Sequence, residues 1–113
     1  MDDCIFCRII NRQIPAELVD EQAGFIVIKD IAPKAPLHLL IIAKKHLPSL
    51  QTAAASDAEL LGQMLLRAKK IAAGHGLGER GYRLVINTGP EGGQEVPHLH
   101  IHFLGGGRIN TLA

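Results

Sequence analysis

The segment from His98 to Leu104 alternates histidine with apolar residues, and this alternation constrains the fold more than any other feature of the sequence. Successive side chains of a β-strand point to opposite faces, so a period of two predicts a strand. In that strand His98, His100 and His102 share one face, while the apolar residues between them share the other. We therefore expect a sheet that buries the apolar face of this strand and holds three imidazoles in a row on the opposite face.

Three hypotheses explain such a row. The first is an ordinary strand with exposed or hydrogen-bonded histidines, which is disfavoured because three of the chain's six histidines fall within five residues. The second is a metal site. Same-face neighbours on a strand lie about 7 Å apart, so two imidazoles can chelate one ion, but all three span about 13 Å and cannot. The third is catalysis, in which a neutral imidazole acts as a nucleophile near neutral pH.

A glycine-rich segment, residues 88–97, precedes the histidines and favours the catalytic hypothesis. A turn of this kind can direct backbone N–H groups toward an anion, and such fixed dipoles stabilise charge that develops on a phosphoryl group. A second imidazole can donate to the phosphoryl oxygens. Because this hypothesis uses the histidine row and the turn together, we prefer attack by imidazole on a bound phosphoryl group.

The histidine row resembles the signature of the histidine triad superfamily of nucleotide hydrolases and transferases. Gly92, Gly93 and Gln94 lie ahead of it, with Gln94 four residues before His98 as in that superfamily. Other segments are similar to the Hint branch, in its bacterial type with Cys-x-x-Cys. They are residues 5–10, 14–16, 30–38 and 81–87. The segments occur in the family's order, and the resemblance covers nearly the whole chain.

The resemblance implies an α+β fold, a single histidine triad domain over residues 1–113. Its five-stranded, mainly antiparallel sheet carries one long and one short helix. It also implies a homodimer that forms through the long helix and the edge of the sheet. The patterns along the chain predict strands over residues 17–20, 25–29, 37–43, 82–88 and 98–104, a short helix over residues 6–12, and a long helix from residue 56 to the glycines at 74 and 76.

Two predicted elements carry further expectations. The long helix is expected to begin with a capping box at residues 56–59, which has the sequence Ser-Asp-Ala-Glu. Gly62 inside this helix costs about 1 kcal/mol relative to alanine, which close packing against another backbone would offset. The third strand is apolar at both alternating sets of positions, so both faces of the sheet should be covered. His38 in that strand is expected to be a hydrogen-bonded structural histidine.

The resemblance also implies an activity, the hydrolysis of purine nucleoside 5′-phosphoramidates through a nucleotidyl-histidine intermediate. His100 would be the nucleophile, and its other ring nitrogen would donate to the main-chain carbonyl of His98. His102 would donate to a phosphoryl oxygen. This chemistry needs no cofactor. The expected ligands are therefore a nucleoside monophosphate and its phosphoramidate adducts.

By the same resemblance, several side chains would bind the nucleotide. Apolar residues of the short helix and the second strand would line the base pocket, an aspartate at the end of that strand would bind the ribose, and the glycine-rich turn would hold the phosphate. The residues are Ile5, Phe6, Ile9, Ile28 and Ile31 for the base, Asp30 for the ribose, and Asn87, Gly93, Gln94 and Glu95 beside His100 and His102 for the phosphate. From the sequence alone, the isoleucines and Phe6 are equally well explained as core, and Asp30 and Asn87 as turn residues.

Cys4-x-x-Cys7 has three functional explanations. A disulfide framework is disfavoured because nothing suggests secretion, and a redox pair lacks a thioredoxin-like setting. Two small apolar cysteines without a ligand remain an alternative. The third explanation is half of a zinc site, which needs two more ligands, for which we propose His46 and His98. Some bacterial proteins that this chain resembles use such a set structurally. Zinc on His98 is compatible with a catalytic His100, because the two roles fall on different imidazoles.

Composition excludes some partners. The formal net charge is +1 and basic residues form no run longer than a pair, which argues against a broad nucleic-acid surface. The N-terminus is acidic and lacks the apolar segment of a signal peptide, and the strongest apolar run, residues 37–43, is far too short to span a bilayer. We therefore expect a cytoplasmic protein that binds neither nucleic acid nor membranes.

Some positions depart from the better-known Hint pattern. Glu95 stands where serine is common in eukaryotic members, Pro97 replaces a frequent aromatic residue, and residues 105–113 lack the usual proline-rich ending that shapes the leaving-group side. Two alternatives therefore stay open. One is a dinucleoside polyphosphate hydrolase of the same superfamily. The other is a non-catalytic protein that binds nucleotide or zinc for an interaction.

Overall fold

The computed structural model of the protein describes residues 4–109. Residues 1–3 and 110–113 lie outside the described residues. The expectations about the acidic N-terminus and about the last four residues of the atypical C-terminal segment therefore lie outside them as well.

A five-stranded antiparallel sheet organises residues 4–109, and it carries one long and one short helix, so the predicted α+β architecture is confirmed. The strands are β1 (Leu18–Glu21), β2 (Phe25–Lys29), β3 (Leu37–Ala43), β4 (Arg83–Val85) and β5 (His100–Gly105); the helices are α1 (Ile5–Ile10) and α2 (Ala58–Gly74). The strand order is β1-β2-β3-β5-β4, and all four pairs are antiparallel. The strand β5 that carries the histidines is therefore held between β3 and β4.

The sheet is covered on both faces, as the apolar third strand predicts. On one face, side chains such as Leu39, Ile41 and Ile101 pack with Met64 and Ala68 of α2. On the other face a smaller apolar cluster brings Phe6 and Ile9 of α1 against Ile26, Ile28, Leu40 and Ile42. Burying this much apolar surface without a disulfide is what a domain of this length can achieve. The second face is the side on which the histidines lie.

Strand β5 begins at His100 and not at His98 as predicted. The His98 N–H donates to Val96 O (2.8 Å) in a tight turn, and the Leu99 N–H donates to Leu47 O (2.7 Å). The N–H groups of residues 98 and 99 are therefore used by loop contacts, while Leu99 O still accepts the Ala43 N–H at the end of β3 (3.3 Å). The fourth strand is also shorter than expected, since it covers residues 83–85 of the predicted 82–88.

The predicted capping box at Ser56 is wrong. Ser56 lies inside a 3₁₀ turn, Ala55–Asp57, and α2 begins after it. The polar group at this point is Asp57, whose carboxylate accepts the Ala54 N–H (2.9 Å) and pairs with Lys45 (2.8 Å). Both contacts lower the pKa of Asp57. The start of α2 is thus tied to the segment that follows β3.

The outward face of α2 is unusually apolar. Leu65 is exposed, and Leu66 is 67% exposed. A Cβ added at Gly62 would meet nothing within 4 Å, so no backbone among residues 4–109 packs against this glycine. The expected close packing at Gly62 is therefore absent within one copy of the described chain. None of the helices in residues 4–109 has the length and apolar character needed to cross a bilayer.

Candidate active site and metal centre

His100 is held by its own strand in a single tautomer. Its Nδ1 lies 2.7 Å from the main-chain oxygen of His98. A carbonyl oxygen only accepts, so Nδ1 carries the proton and Nε2 keeps a lone pair. The side chain is 6% exposed and meets the edge of the Phe6 ring at a centroid distance of 5.0 Å. The structure thus presents one imidazole lone pair in a defined direction.

The surroundings also keep His100 neutral. Burial lowers its pKa below the ordinary value, and this outweighs the opposite effects of the His98 carbonyl and of the Asp30 and Glu95 carboxylates. A neutral imidazole is the form with a free lone pair. The geometry and the electrostatics therefore favour the same state of this side chain.

A chain of hydrogen bonds fixes the tautomer of His102. The Lys34 N–H donates to His38 Nδ1 (3.1 Å), so the proton of the neutral His38 ring is on Nε2. That nitrogen lies 2.9 Å from His102 Nδ1 and donates to it. His102 therefore carries its own proton on Nε2, the ring nitrogen that points away from His38. The row thus contains an acceptor at His100 and a donor at His102.

His102 remains neutral over a wide pH range. Its burial, followed by the proximity of His100 and His38, lowers its pKa to about 4. The rings of His100 and His102 lie 5.0 Å apart in a T-shaped arrangement. The N–H of a neutral His102 therefore lies beside the lone pair of a neutral His100. The first can donate a hydrogen bond to a phosphoryl oxygen, and the second can attack the phosphorus.

His38 is a site residue whose role the sequence reasoning missed. It was expected to be structural, and it is indeed buried and hydrogen-bonded, but its partner is a histidine of the row. In the β3–β5 ladder Leu40 stands opposite His102 and His38 opposite Leu104, so His38 and His102 are diagonal neighbours on one face. Only the pairing of these two strands could have revealed this contact.

The glycine-rich turn is tied together by Gln94. The Gln94 side chain accepts the Gly89 N–H (2.9 Å) and donates to Pro48 O (2.7 Å) and Val96 O (3.0 Å). The backbone N–H groups of Gly93 and Gln94 donate within the turn, to Pro90 O and Gly89 O (both 3.1 Å). They are therefore not free for a phosphate in this arrangement, contrary to the sequence-based expectation, because the turn uses them to hold its own shape.

Asp30 lies beside His38, Asn87 lies against the glycine-rich turn, and both residues stabilise loops. Asn87 donates one amide hydrogen to Gly92 O (2.8 Å), which leaves its second amide hydrogen and its oxygen. Asp30 accepts the Ala32 N–H (2.8 Å), as a turn residue does, while its second oxygen lies 3.4 Å from His38 Nε2. Each residue therefore has a structural role and retains hydrogen-bonding capacity toward a ligand.

The residues predicted for the base pocket are placed unevenly. Phe6, Ile9 and Ile28 belong to one apolar cluster, and Ile9 and Ile28 also line an open cavity of about 330 Å³. Ile5 is exposed at the start of α1, and Ile31 is 98% exposed. Phe6, Ile9 and Ile28 thus form an apolar wall next to His100, whereas Ile31 lies apart from that wall.

Cys4, Cys7, His46 and His98 converge as the zinc hypothesis expects. Their ligand atoms all lie within 4.8 Å of one another. The Cys4 Sγ to His98 Nδ1 and Cys7 Sγ to His46 Nδ1 distances are both 3.2 Å, and the two Nδ1 atoms are 3.1 Å apart. Ligands of tetrahedral zinc are separated by roughly 3.3–3.8 Å, given Zn–N and Zn–S bonds of about 2.0 and 2.3 Å. The four side chains therefore fit one zinc ion with small adjustments.

The outer contacts of His98 also suit a metal ligand. Its Nε2 donates to Ala43 O (2.6 Å), which directs the Nδ1 lone pair at the two thiols. A ligating histidine usually has such a partner on its other nitrogen. Burial lowers the pKa of His98, which favours the neutral ring that metal binding requires.

A second cluster, Asp30, His38 and His102, is compact enough for a metal but has the wrong protonation pattern. His38 Nδ1 accepts a backbone N–H, so its Nε2 must carry the proton. A metal on that nitrogen would leave the ring with no proton at all, which a neutral imidazole does not allow. We therefore describe this cluster as a hydrogen-bond relay.

Comparisons with known proteins agree on one family. A family model described as scavenger mRNA decapping enzyme C-term binding matches residues 3–108. The chain is 53% identical to an uncharacterized HIT-like protein of Synechococcus elongatus over 105 residues, which are 93% of this chain and 91% of that protein. It is 51% identical to protein HitA of Neisseria gonorrhoeae, over 93% of this chain and 97% of that protein.

Solved structures give the same result. A HIT family hydrolase from Legionella pneumophila superimposes with a TM-score of 0.91 at 49% identity, over 94% of this chain and 95% of that one. A histidine triad nucleotide-binding protein from Candida albicans superimposes with a TM-score of 0.81 at 31% identity, over 98% of this chain and 86% of that one.

Proposed function

Because the chain belongs to the histidine triad (HIT) family, we propose that it is a hydrolase of purine nucleoside 5′-phosphoramidates that acts through a nucleotidyl-histidine intermediate. The observation that carries the proposal is the pair of fixed tautomers, a lone pair on His100 Nε2 beside an N–H on His102 Nε2. The names of the hydrolase from Legionella and of the nucleotide-binding protein from Candida support the class of reaction and of ligand.

The reaction proceeds in two displacements at phosphorus. In the first, His100 Nε2 forms a bond to phosphorus while the P–N bond of the substrate breaks, and the departing nitrogen keeps the bonding pair and takes a proton from solvent. In the second, a water oxygen bonds to phosphorus, the P–Nε2 bond breaks, and the water gives up a proton to solvent. The sum is one water consumed per phosphoramidate, which yields a nucleoside monophosphate and an amine.

His102 stabilises the negative charge that develops on the phosphoryl oxygens. Its Nε2–H is directed by His38, which is itself directed by the Lys34 N–H. A donor that is oriented before the reaction costs no reorganisation when the charge appears. His38 is thus a positioning residue, and the remaining capacity of Asn87 supplies a further contact for the phosphate.

The nucleoside lies along α1 and β2 in this proposal. Phe6, Ile9 and Ile28 supply an apolar surface for the base, and the free capacity of Asp30 serves the ribose hydroxyls. A base pocket is normally an apolar cleft with a few polar groups at its edge. The purine preference itself rests on the family resemblance.

We assign the four-ligand site to a structural zinc ion, outside the chemistry. When bound, zinc holds its ligands in place, and all four of its tetrahedral positions are filled by protein atoms, so no position remains for substrate. Cys4 caps α1 and Cys7 lies within it, while His46 follows β3 and His98 precedes β5. The four ligands would therefore fasten the base-binding helix to the segment that leads into β5.

A comparison of two substrates tests the activity. The protein should release the amine from an adenosine 5′-phosphoramidate at least about 10-fold faster than it cleaves a dinucleoside tetraphosphate. The reason is that the described residues next to His100 form an apolar wall for one nucleoside. Release of a fluorescent amine and separation of the nucleotide products provide the measurement. Preference for the dinucleotide would assign the chain to the other hydrolase branch. Binding of the monophosphate without turnover of either substrate would indicate a binding protein.

We also propose that two copies associate through the outward face of α2 and the β4 edge of the sheet. Large exposed leucines and an uncovered Gly62 are typical of a face that packs against another chain. Strand β4 is an edge strand, which can pair with a strand of a second copy.

Leu66→Glu should convert this dimer to a monomer, since it places a charge at the centre of the apolar face. Sedimentation or light scattering at micromolar concentration measures the molecular mass. Val19→Glu is the matched control, because it adds the same charge at an exposed apolar position of β1, the opposite edge of the sheet. A monomeric starting protein, or an unchanged mass for Leu66→Glu, would contradict the proposed interface.

A further inference from the structure

Cys4 and Cys7 carry the two thiols of the chain, and both are free in this structure. Cys4 lines an open cleft of about 470 Å³ beside the start of α1. A small oxidant in solution therefore has a path to this side chain. Met64 is the other sulfur-containing residue among residues 4–109, and it is fully buried. The described sulfur atoms that an oxidant can reach thus belong to the candidate metal site.

The two cysteines are placed to form a disulfide with each other. The Cys7 N–H donates to Cys4 Sγ (3.3 Å), and the two sulfur atoms lie 3.2 and 3.6 Å from the same nitrogen, His98 Nδ1. Disulfide oxidoreductases use the same Cys-x-x-Cys spacing. An S–S bond is about 2.05 Å long, so its formation draws both sulfur atoms away from their positions around the histidine.

A disulfide and a four-ligand zinc site exclude each other at these positions. Zinc binds the thiolate form of cysteine, and the sulfur atoms of a disulfide carry no such charge. Once the S–S bond forms, His46 and His98 are the remaining candidate ligands of the four. Two imidazoles fill half of a tetrahedral site, so the oxidised chain should lose the ion.

We propose that Cys4 and Cys7 are a site of reversible oxidation by hydroperoxides, and that the disulfide releases zinc and weakens nucleotide binding. This inference rests on the proposed function, because it adds regulation to the same site. The pair is the target of the oxidation and not a catalyst of disulfide exchange, since the rings of His46 and His98 lie against the sulfur atoms that a substrate disulfide would have to approach.

The oxidation has two steps. In the first, the Cys4 sulfur attacks an oxygen of the hydroperoxide, the O–O bond breaks, and the departing oxygen takes a proton and leaves as an alcohol, or as water when the oxidant is hydrogen peroxide. In the second, the Cys7 sulfur attacks the sulfenic acid at Cys4, the S–S bond forms, the S–O bond breaks, and the departing hydroxide takes a proton to become water. Two thiolates are oxidised, one hydroperoxide is reduced, and two protons are consumed.

Phe6 connects the metal site to the nucleotide. It lies between the two cysteines in the chain, and its ring contacts the rings of His98 and His100 at centroid distances of 5.9 and 5.0 Å. It is also part of the apolar wall that we assign to the base. A disulfide between residues 4 and 7 lies entirely within this segment, so it cannot replace the connection that zinc makes to His46 and His98. Oxidation should therefore loosen the wall.

Treatment of the zinc-loaded protein with hydrogen peroxide tests the proposal. Each chain should lose two hydrogen atoms from its mass, which identifies the bond because the chain contains two cysteines. It should also release its zinc to a chromophoric chelator. Affinity for adenosine 5′-monophosphate, measured by calorimetry, should fall at least about 10-fold, as expected for loss of the metal. A dithiol reductant with added zinc should restore the mass, the zinc content and the affinity.

Two variants separate the disulfide from other oxidative damage. Cys7→His keeps a side chain that binds zinc but removes the partner of Cys4, so it should retain its zinc under the treatment that releases zinc from the starting protein. The double variant Cys4→Ser, Cys7→Ser does not depend on metal binding as a control. Its nucleotide affinity should not fall further with peroxide, and a further fall would contradict oxidation at the cysteines.

The outcomes separate this proposal from the hydrolase activity. If phosphoramidates are cleaved and peroxide leaves the mass and the zinc unchanged, or adds oxygen that the dithiol does not remove, the oxidation site is overturned while the hydrolase stands. If the disulfide forms and affinity changes by less than about 2-fold, the link to nucleotide binding is overturned. If the full response occurs and no phosphoramidate is cleaved, the oxidation site stands and the hydrolase activity fails.

Discussion

His100→Ala is expected to lower phosphoramidate turnover by at least about 10⁴-fold, because it removes the nucleophile. The remaining groups, such as His102 and Asn87, can bind the phosphate but cannot form the covalent intermediate. Direct attack by water would have to proceed without the lone pair that the His98 carbonyl orients. Single-turnover measurements with a fluorescent amine leaving group would quantify the loss.

The His100→Ala variant should still bind the nucleoside monophosphate. Phe6 would lose its ring contact with His100, but the base wall of α1 and β2 keeps its packing on Ile26, Ile28 and neighbouring apolar side chains. Affinity for the nucleoside monophosphate should therefore change by less than about 5-fold. His75→Ala is a suitable control, because His75 is an exposed histidine at the end of α2. Residual turnover above about 1% in His100→Ala, with folding intact, would contradict the nucleophile assignment. A complete loss of nucleotide binding would show that the ring is needed for the site's structure instead.

Much of the fold follows from local patterns. The bounds of β2 and β3 agree with the predicted ones, since each strand is an apolar run that ends at turn-forming residues. The long helix was recognised from its apolar stripe, and its C-terminal end falls at the predicted glycine. Patterns of this kind depend on neighbouring residues, and a single sequence contains them in full.

The features that sequence reasoning missed depend on distant contacts. Strand β5 begins at His100 because Val96 and Leu47 accept the N–H groups of His98 and Leu99, and nothing near His98 in the sequence signals this. His38 reaches His102 only because β3 pairs with β5 in one particular register. Likewise, the Gly93 and Gln94 N–H groups are used inside the turn because Gln94 anchors it to Pro48. Spacing along the chain locates such residues but does not determine their partners.

The candidate metal site connects two parts of the molecule that would otherwise be weakly joined. Helix α1 has six residues, which is too short to be stable by itself. Its N-cap is Cys4, and its one fully buried side chain is Phe6, which contacts both His98 and His100. The ring of His98 is a candidate ligand, and its carbonyl orients the nucleophile. Metal binding should therefore stabilise the base-binding helix and the nucleophile together.

The purified protein is expected to contain about one zinc ion per chain, and the double variant Cys4→Ser, Cys7→Ser should contain none. Its melting temperature should fall by more than about 10 °C, because several kcal/mol of binding free energy is lost. The loss should stay below the roughly 10–16 kcal/mol measured for zinc-finger peptides, since the sheet and α2 form a core without the metal. Metal analysis and thermal unfolding provide the two measurements.

Nucleotide affinity is the measurement that separates this role from simple stabilisation. At a temperature where the double variant is folded, its affinity for the nucleoside monophosphate should fall at least about 10-fold, since α1 carries the apolar wall for the base. Removing zinc from the unchanged protein with a chelator should give the same loss, and adding zinc back should restore affinity only where both cysteines are present. Lys29→Ala, which removes an exposed ion pair with Glu17, is the control and should keep both zinc and affinity. A metal-free protein with unchanged stability and unchanged affinity would contradict the assignment.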